Sequence, residues 1–407
     1  MKKYIRQSLF NELLQSINTK QNLIQAIVGP RQVGKTTLVL QLFRRWKGPR
    51  LYESADELST PNTEWISTQW NKIRDKSANK KSKSLIILDE IHKIPRWSEA
   101  VKKLFDEDHR TNFNIRVILL GSAALLMQRG LTESLSGRFE LHRHNHWSFK
   151  ECNECFKISL EEYLYFGGYP GALLMRKNEE RWARYIRDSL IETVLSKDLL
   201  LLSPITKPVL LRQAFSLATS YPAQILSYQK MLGTLQDAGN TTTIASYLQL
   251  LSKAFLLALL ERWSGTKIKQ KGSTPKIIVL DNGIISSMSG SDFKSTIKDK
   301  TTWGRFLENA VGSKLYSLAM NSGGELFYWK ERDYEVDYIL KLGNKIYAIE
   351  VKSGISKKLP AALSIFKKRY GTASLITISN SKTQKSEPVS NINIEDFFRN
   401  PKLIFNN

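Results

Sequence analysis

Three short stretches of the chain are apolar at nearly every position: residues 23–28, residues 85–88 (Leu-Ile-Ile-Leu) and residues 117–120 (Val-Ile-Leu-Leu). Continuous runs of this length suit strands buried on both faces of a parallel sheet. A helical pattern follows the first of them, over residues 37–46, and residues 1–150 continue to alternate strand-like and helix-like segments. Residues 151–205 read as helical, with a break at Gly167-Gly168-Tyr169-Pro170-Gly171. Residues 206–290 read as helices followed by a basic hairpin, with Ile244, Leu248, Leu251 and Phe255 on one helical face. Beyond the turn-rich stretch 287–291, the pattern predicts a helix over 303–320, strands over 325–329, 335–341 and 345–352, then a helix and a further strand.

The first apolar run feeds directly into Gly29-Pro30-Arg31-Gln32-Val33-Gly34-Lys35-Thr36, with Thr37 next. Strand, G-x-x-x-x-G-K-[ST] loop and helix is the order in which backbone N–H groups and a helix N-terminus wrap a phosphate. Lys35 would reach the β and γ phosphates of ATP, and the Thr36 hydroxyl would hold Mg²⁺. The second run ends in Asp89-Glu90. A carboxylate at the carboxyl edge of a parallel strand faces the ligand crevice, so Asp89 is a second Mg²⁺ ligand and Glu90 the group that polarises the attacking water. The third run ends in Gly121-Ser122; Ser122 either orients that water or caps the next helix. Arg138 is either an arginine finger acting on a neighbouring subunit's nucleotide or a surface arginine.

These residues carry a resemblance. The loop from Gly29 to Thr37, the strand ending Asp89-Glu90 with Ile91-His92 after it, and Gly137-Arg138 resemble the AAA+-type bacterial and archaeal ATPases with a C-terminal domain of unknown function. The resemblance spans essentially the whole chain. It implies an AAA+ fold and assembly into homo-oligomers, although no clear second-sensor arginine follows the core.

Residues 228–235, a turn at 237–240 and the face beginning at Ile244 read as helix-turn-helix, and two strands flank a loop carrying Lys267, Lys269 and Lys271. That is the order of a winged helix, whose lysines would contact DNA phosphates; the alternative is a structural helical module with a solvated hairpin.

Gly343-Asn344 suits a two-residue hairpin turn of type II′. If Leu342 pairs with Lys345, Asp337 falls opposite Glu350 and Glu335 opposite Lys352, while Tyr347, Ile349 and Val351 take the other, core-facing side. Two carboxylates facing each other call for a divalent ion, so Asp337 and Glu350 are candidate ligands and Lys352 a candidate catalytic group. The helix bearing Glu308 and the order helix-strand-strand-strand with Asp337 and Glu350-Val351-Lys352 resemble the PD-(D/E)xK nuclease superfamily. That resemblance implies metal held by Asp337 and Glu350, catalysis by Lys352 and assistance from Glu308. Val336 stands where the superfamily's name places proline.

Charge sharpens the partner. Sixty-one Lys and Arg face 38 Asp and Glu, a net charge of +23, which suits a polyanion, nucleic acid before an anionic membrane surface. With 42% hydrophobic residues the chain can build real cores. The longest apolar run, residues 254–260, is far short of a span of ~20 residues. The N-terminus lacks the apolar stretch of a signal peptide, and two cysteines make no disulfide framework, so a cytoplasmic protein without a membrane partner is expected. His142, His144 and His146 with Cys152 and Cys155 can be drawn as a zinc site, but their alternation more simply marks one face of a strand.

The expected fold is therefore α/β: a P-loop AAA+ parallel-sheet core (1–150), a helical lid or connector (151–205), a winged-helix-like domain (206–290) and a restriction-endonuclease-like C-terminal domain (291–407). The expected function is ATP hydrolysis with Mg²⁺, coupled to DNA binding or remodelling and to metal-dependent cleavage, with branched or structured DNA among the candidates. The alternative is a DNA-binding regulator or motor whose nuclease-like domain does not cut.

Overall fold

In the computed structural model, residues 4–58, 60–77, 82–121, 124–199, 205–235, 240–264, 273–355, 359–371 and 373–406 are described. The three apolar runs become the centre of one sheet. β1 (Ile24–Val28), β3 (Ser84–Asp89) and β4 (Ile115–Leu120) are buried at every position, and β2 (Arg50–Ser54) and β5 (Phe139–Arg143) complete the parallel order β2-β3-β4-β1-β5. Parallel neighbours require crossovers, and the helices supply them: α2 (Lys35–Arg45), α3 (Thr63–Lys76), α4 (Trp97–Thr111) and α5 (Ala124–Ser134), preceded by α1 (Gln7–Asn18). Phe10, Leu13 and Ile17 of α1 and Leu38, Val39 and Leu42 of α2 pack on Ile27, Leu85, Ile87, Ile118 and Leu120. Each such side chain contributes about 1.5–3 kcal/mol on burial. Because all five strands run the same way, the loops after β1, β3 and β4 meet at one edge.

This sheet belongs to a first compact unit, Met1–Asn145; the second is His146–Asn407. The expectation that His142, His144 and His146 share one strand face is corrected: β5 ends at Arg143, so only His142 lies in it.

In the second unit, α6 (Phe149–Phe156) and α7 (Leu160–Phe166) each begin with a serine capping box, at Ser148 and Ser159. Pro208 opens α8 (Pro208–Ser220), where its missing N–H costs nothing. After β6 (Gln224–Ile225) come α9 (Tyr228–Thr234), capped by Ser227, and α10 (Thr241–Lys253), capped by the Asn240 side chain. β7 (Leu257–Leu260) and β8 (Lys276–Val279) are antiparallel, and with β6 they form the sheet β6-β8-β7. α11 (Asn282–Ser289) leads to the long α12 (Lys300–Asn321), then β9 (Glu325–Glu331), β10 (Tyr334–Leu342), β11 (Lys345–Val351), α13 (Ala361–Tyr370), β12 (Ser374–Ser379), β13 (Ser390–Asn393) and α14 (Ile394–Arg399). The five strands order as β13-β12-β11-β10-β9. Ala258, Leu260, Ile278 and Leu280 share one core with Val311, Leu315, Tyr338, Ile349 and Ile376, so the segments 206–290 and 291–407 pack as one body.

The 342–345 hairpin turns as expected, with Gly343 at φ 57 and the register Leu342↔Lys345 through Tyr338↔Ile349. Beyond that pair the expected facing of Asp337 with Glu350, and of Glu335 with Lys352, is corrected. The register of β10 against β9 shifts between Val336 and Ile339. The Val351 N–H, which a continued ladder would give to a backbone carbonyl, instead donates to Asp337 Oδ2 at 2.8 Å. Lys352 N–H donates to the Ile378 carbonyl of β12, as the parallel β11–β12 ladder requires. A side chain has taken the ladder's place, and the two strands part where the carboxylates gather.

Candidate nucleotide site and carboxylate cluster

The loop after β1 leaves the sheet through Gly29, at φ 155; a Cβ there would lie 2.1 Å from the His144 carbonyl oxygen, so only glycine fits. Gly34 takes φ 89 and hands the chain to α2, whose first residue is Lys35. Lys35 is 8% exposed, and its ammonium donates to the Gly29 and Pro30 carbonyls at 3.0 and 2.7 Å. These acceptors are uncharged carbonyls and belong to the loop itself. An incoming phosphate offers it an acceptor that carries full negative charge, a stronger partner than a carbonyl.

Asp89 ends β3 at the same edge and is buried. Its Oδ2 accepts from the Thr36 hydroxyl at 2.9 Å and from the Tyr52 hydroxyl at 2.9 Å, while Oδ1 accepts the Glu90 N–H at 2.9 Å. Burial, with the Asp89 charge beside it, pushes the Tyr52 hydroxyl well above its usual pKa and keeps it a donor. Tyr52 was not anticipated from the sequence. It lies on β2, and only the β2–β3 pairing brings it to Asp89. Hydroxyl and carboxylate oxygens within hydrogen-bond reach of each other form the hard donor set that Mg²⁺ prefers, so Thr36 and Asp89 fit the ion that accompanies ATP.

Glu90 takes φ 53 and ψ 29, a left-handed backbone for a residue that is not glycine, and its Oε2 lies 3.4 Å from His92 Nδ1. Such a conformation costs of order 1–3 kcal/mol and persists where the surroundings enforce it. Ser122 lies outside the described residues. Arg138 forks onto Asp106 of α4, Nε to Oδ1 at 2.7 Å and a terminal nitrogen to Oδ2 at 3.0 Å. Its carbonyl accepts the Ile24 N–H at the start of β1. It therefore sits at the amino edge of the sheet, a strand of five residues or about 17 Å from its own P-loop.

In the second unit the anticipated Glu308 and Asp337 come together, joined by Glu335 and by a residue the sequence reading passed over. Lys276, at the head of β8, is fully buried. Its ammonium lies 2.7 Å from Glu308 Oε1, 3.1 Å from Glu335 Oε1 and 3.7 Å from Asp337 Oδ1. It also sits 5.0 Å from the Tyr338 ring centroid. Burial works against the charged ammonium, but Glu308, Asp337 and Glu335 outweigh it and hold Lys276 protonated above its usual range. Burial, reinforced by Glu308, pushes Asp337 well up. Glu350 is also raised, by burial first; its Oε1 accepts from Lys352 at 2.7 Å, while its Oε2 is buried with no hydrogen-bond partner among the described residues. Arg305 lies 3.1 Å from Glu308 and Lys330 3.4 Å from Glu335. Glu308, Asp337, Glu350 and Lys352 thus neighbour one another, but a lysine ammonium occupies the position among the carboxylates.

Lys267, Lys269 and Lys271 lie outside the described residues. Ser246, Gln249 and Lys253 are exposed on α10. The zinc reading gains nothing: His142 is engaged by Glu12 and Gln25, at 3.2 and 2.6 Å. Burial drives the His144 imidazole well below its usual pKa. Among the described residues, Glu308, Glu335 and Asp337 are the group whose ligand atoms lie close enough for one metal ion.

Residues 21–153 match a family model described as an AAA domain. This segment is an AAA-type P-loop domain. The matched segment contains every nucleotide-site residue named above. Residues 157–295 and 303–397 match two further models, each described as a domain of unknown function (DUF8612 and DUF4143). An uncharacterized protein of Mycobacterium tuberculosis is 28% identical over 344 residues, covering 83% of this chain and 73% of that protein. One of Haemophilus influenzae is 24% identical over 369 residues, covering 85% and 86%. Among solved structures, a Walker-type ATPase of Pyrococcus abyssi is similar at 13% identity and a TM-score of 0.45, over 70% of this chain and 95% of that one. The ADP form of the Aeropyrum pernix ORC2 protein is similar at 14% identity and a TM-score of 0.35, over 74% and 91%. No helix among the described residues is long and apolar enough to cross a membrane.

Proposed function

We propose that the protein is a Mg²⁺-dependent ATP hydrolase that acts on DNA as a regulator or motor, with a C-terminal domain that binds without cutting. The hydrogen bond of 2.9 Å between Thr36 and Asp89 carries the first half: it joins the two Mg²⁺-holding groups at the edge where the P-loop opens. Bound Mg²⁺ supplies charge to offset that developing on the phosphates. Lys35 leaves the Gly29 and Pro30 carbonyls for the β and γ phosphates. Tyr52 holds Asp89 in place, and Glu90, fixed by its backbone and by His92, orients the attacking water and takes up its proton. Arg138 lies too far from its own nucleotide to touch it, so any part it has in hydrolysis is played on a neighbouring copy in a homo-oligomer.

The net charge of +23 supports DNA as the substrate of this work, with Lys267, Lys269 and Lys271 as its phosphate contacts. The non-cleaving reading is preferred to metal-dependent cleavage by Asp337, Glu350 and Lys352 because Lys276 already fills the carboxylate cluster. Phosphate release is measured with and without linear, single-stranded and four-way-junction DNA, and binding is measured from 50 to 200 mM salt. ATP hydrolysis lost in Lys35→Ala, with DNA affinity falling steeply with salt, is the expected result. Mg²⁺-dependent strand cleavage abolished by Asp337→Ala overturns the non-cleaving half and leaves the ATPase half standing.

A further inference from the structure

Lys276 and its three carboxylates come from separate parts of the chain. The lysine begins β8, Glu308 lies on α12, and Glu335 and Asp337 lie on β10. The lysine backbone is fixed on both sides, by Leu260 of β7 and by Ile225 of β6, so its side chain has one course, into the cluster. One oxygen from each of the three carboxylates lies within 4.8 Å of the others. That bound is twice a Ca–O distance of about 2.4 Å, so the oxygens are close enough together for a single ion of that size to reach all three. The ammonium is where the ion would be.

The charge count agrees. Glu308, Glu335, Asp337 and Glu350 are four carboxylates. Lys276, Arg305, Lys330 and Lys352 are the four cations paired with them. With all four carboxyls ionised the group is balanced by the protein's own side chains, and a divalent ion entering it would leave two positive charges in excess; the upward push on Asp337 and Glu350 tips the group further toward positive. Displacing Lys276 would strand a fully buried ammonium, a more costly group to leave unpaired than the surface cations.

We propose that the Glu308, Glu335 and Asp337 cluster is a cation site built to be filled by Lys276 of the same chain, and that it accepts a divalent ion only when that lysine loses its charge. This deepens the non-cleaving reading and rests on it. The site belongs to the fold whatever the AAA domain does with ATP. Lys352, exposed over about half its side chain and bonded to Glu350, does not compete for the position.

Mn²⁺ binding by the full-length protein, without nucleotide, is followed by electron paramagnetic resonance. Lys276→Met keeps the side-chain stem and removes the charge. It gains one Mn²⁺ over the wild type, and Lys276→Met/Asp337→Asn loses that ion again. A wild type that binds an ion removed by Asp337→Asn overturns the proposal, as does a folded Lys276→Met that gains none. If Lys276→Met does not fold, amine methylation of the wild type read by peptide mass spectrometry decides the matter. Lys276 stays unmodified in 10 mM Mg²⁺ while Lys330 and Lys352 react; labelling of Lys276 that Mg²⁺ increases overturns the proposal. DNA cleavage is scored separately. A wild type that binds the ion but leaves DNA intact overturns the filled-site proposal and not the non-cleaving reading.

Discussion

Two buried lysines divide this molecule between an open site and a closed one. Lys35 sits on the carbonyls of Gly29 and Pro30, neutral acceptors of its own loop. Lys276 sits among Glu308, Glu335 and Asp337. Both ammoniums are hydrogen-bonded, the first to carbonyls and the second to carboxylates. A cation held by carbonyls gains by moving to an anion, which is what a ligand site requires. A cation already held by carboxylates has nothing to gain from a ligand and serves to bind the parts of the fold together.

That difference can be broken by mutation. The largest expected effect is on Lys276→Ala, which leaves buried carboxylates without their counter-ion. Urea unfolding of the second unit should show a loss of about 3–5 kcal/mol. A loss below about 1 kcal/mol would mean that the carboxylates are solvated in solution and the closed site is not closed. Next is Glu90→Gln, for which phosphate release should fall roughly 10²-fold while a fluorescent ATP analogue still binds. Equal loss of binding and turnover would make Glu90 a structural residue of its turn. Tyr52→Phe removes one donor to Asp89 and should weaken Mg²⁺-dependent nucleotide binding by about 1 kcal/mol, roughly fivefold, as read by calorimetry. A last variant sharpens the contrast: Lys35→Ala should cost less stability than Lys276→Ala, about 1.5–3 kcal/mol by urea unfolding, since it leaves carbonyls rather than buried carboxylates without their donor, although it abolishes hydrolysis.

The open site was legible in the sequence because its parts are contiguous or end short, continuously apolar runs. The eight residues from Gly29 to Thr36 sit in one loop. Asp89 and Glu90 end a run whose burial on both faces shows in its composition. The closed site was only half legible. Glu308, Asp337, Glu350 and Lys352 stand out by their order along helix and strands, but Lys276 is followed by Ile-Ile-Val and reads as the foot of a basic hairpin. Its approach to Glu308 and Asp337 depends on how β8 meets α12 and β10, which no local pattern encodes. The hairpin turn at Gly343 predicted the register as far as Tyr338 and Ile349. It failed where the Asp337 carboxylate takes the Val351 N–H, because pairing rules count backbone positions and make no allowance for a side chain that replaces one. Arg138 was drawn toward a nucleotide by its residue type alone, and only the direction of β1 and β5 shows which edge it occupies.

The lysine at the head of β8 also bears on modularity. It falls in the segment matched as one domain of unknown function, residues 157–295, and all three of its carboxylates fall in the segment matched as another, residues 303–397. A crossover anywhere in residues 296–302 would separate an acid hole from the ammonium that fills it, and leave that ammonium stranded on the other fragment. Two stretches that look like separate modules along the chain are therefore exchangeable only together: a chimera that imports one without the other inherits half an ion pair at its centre.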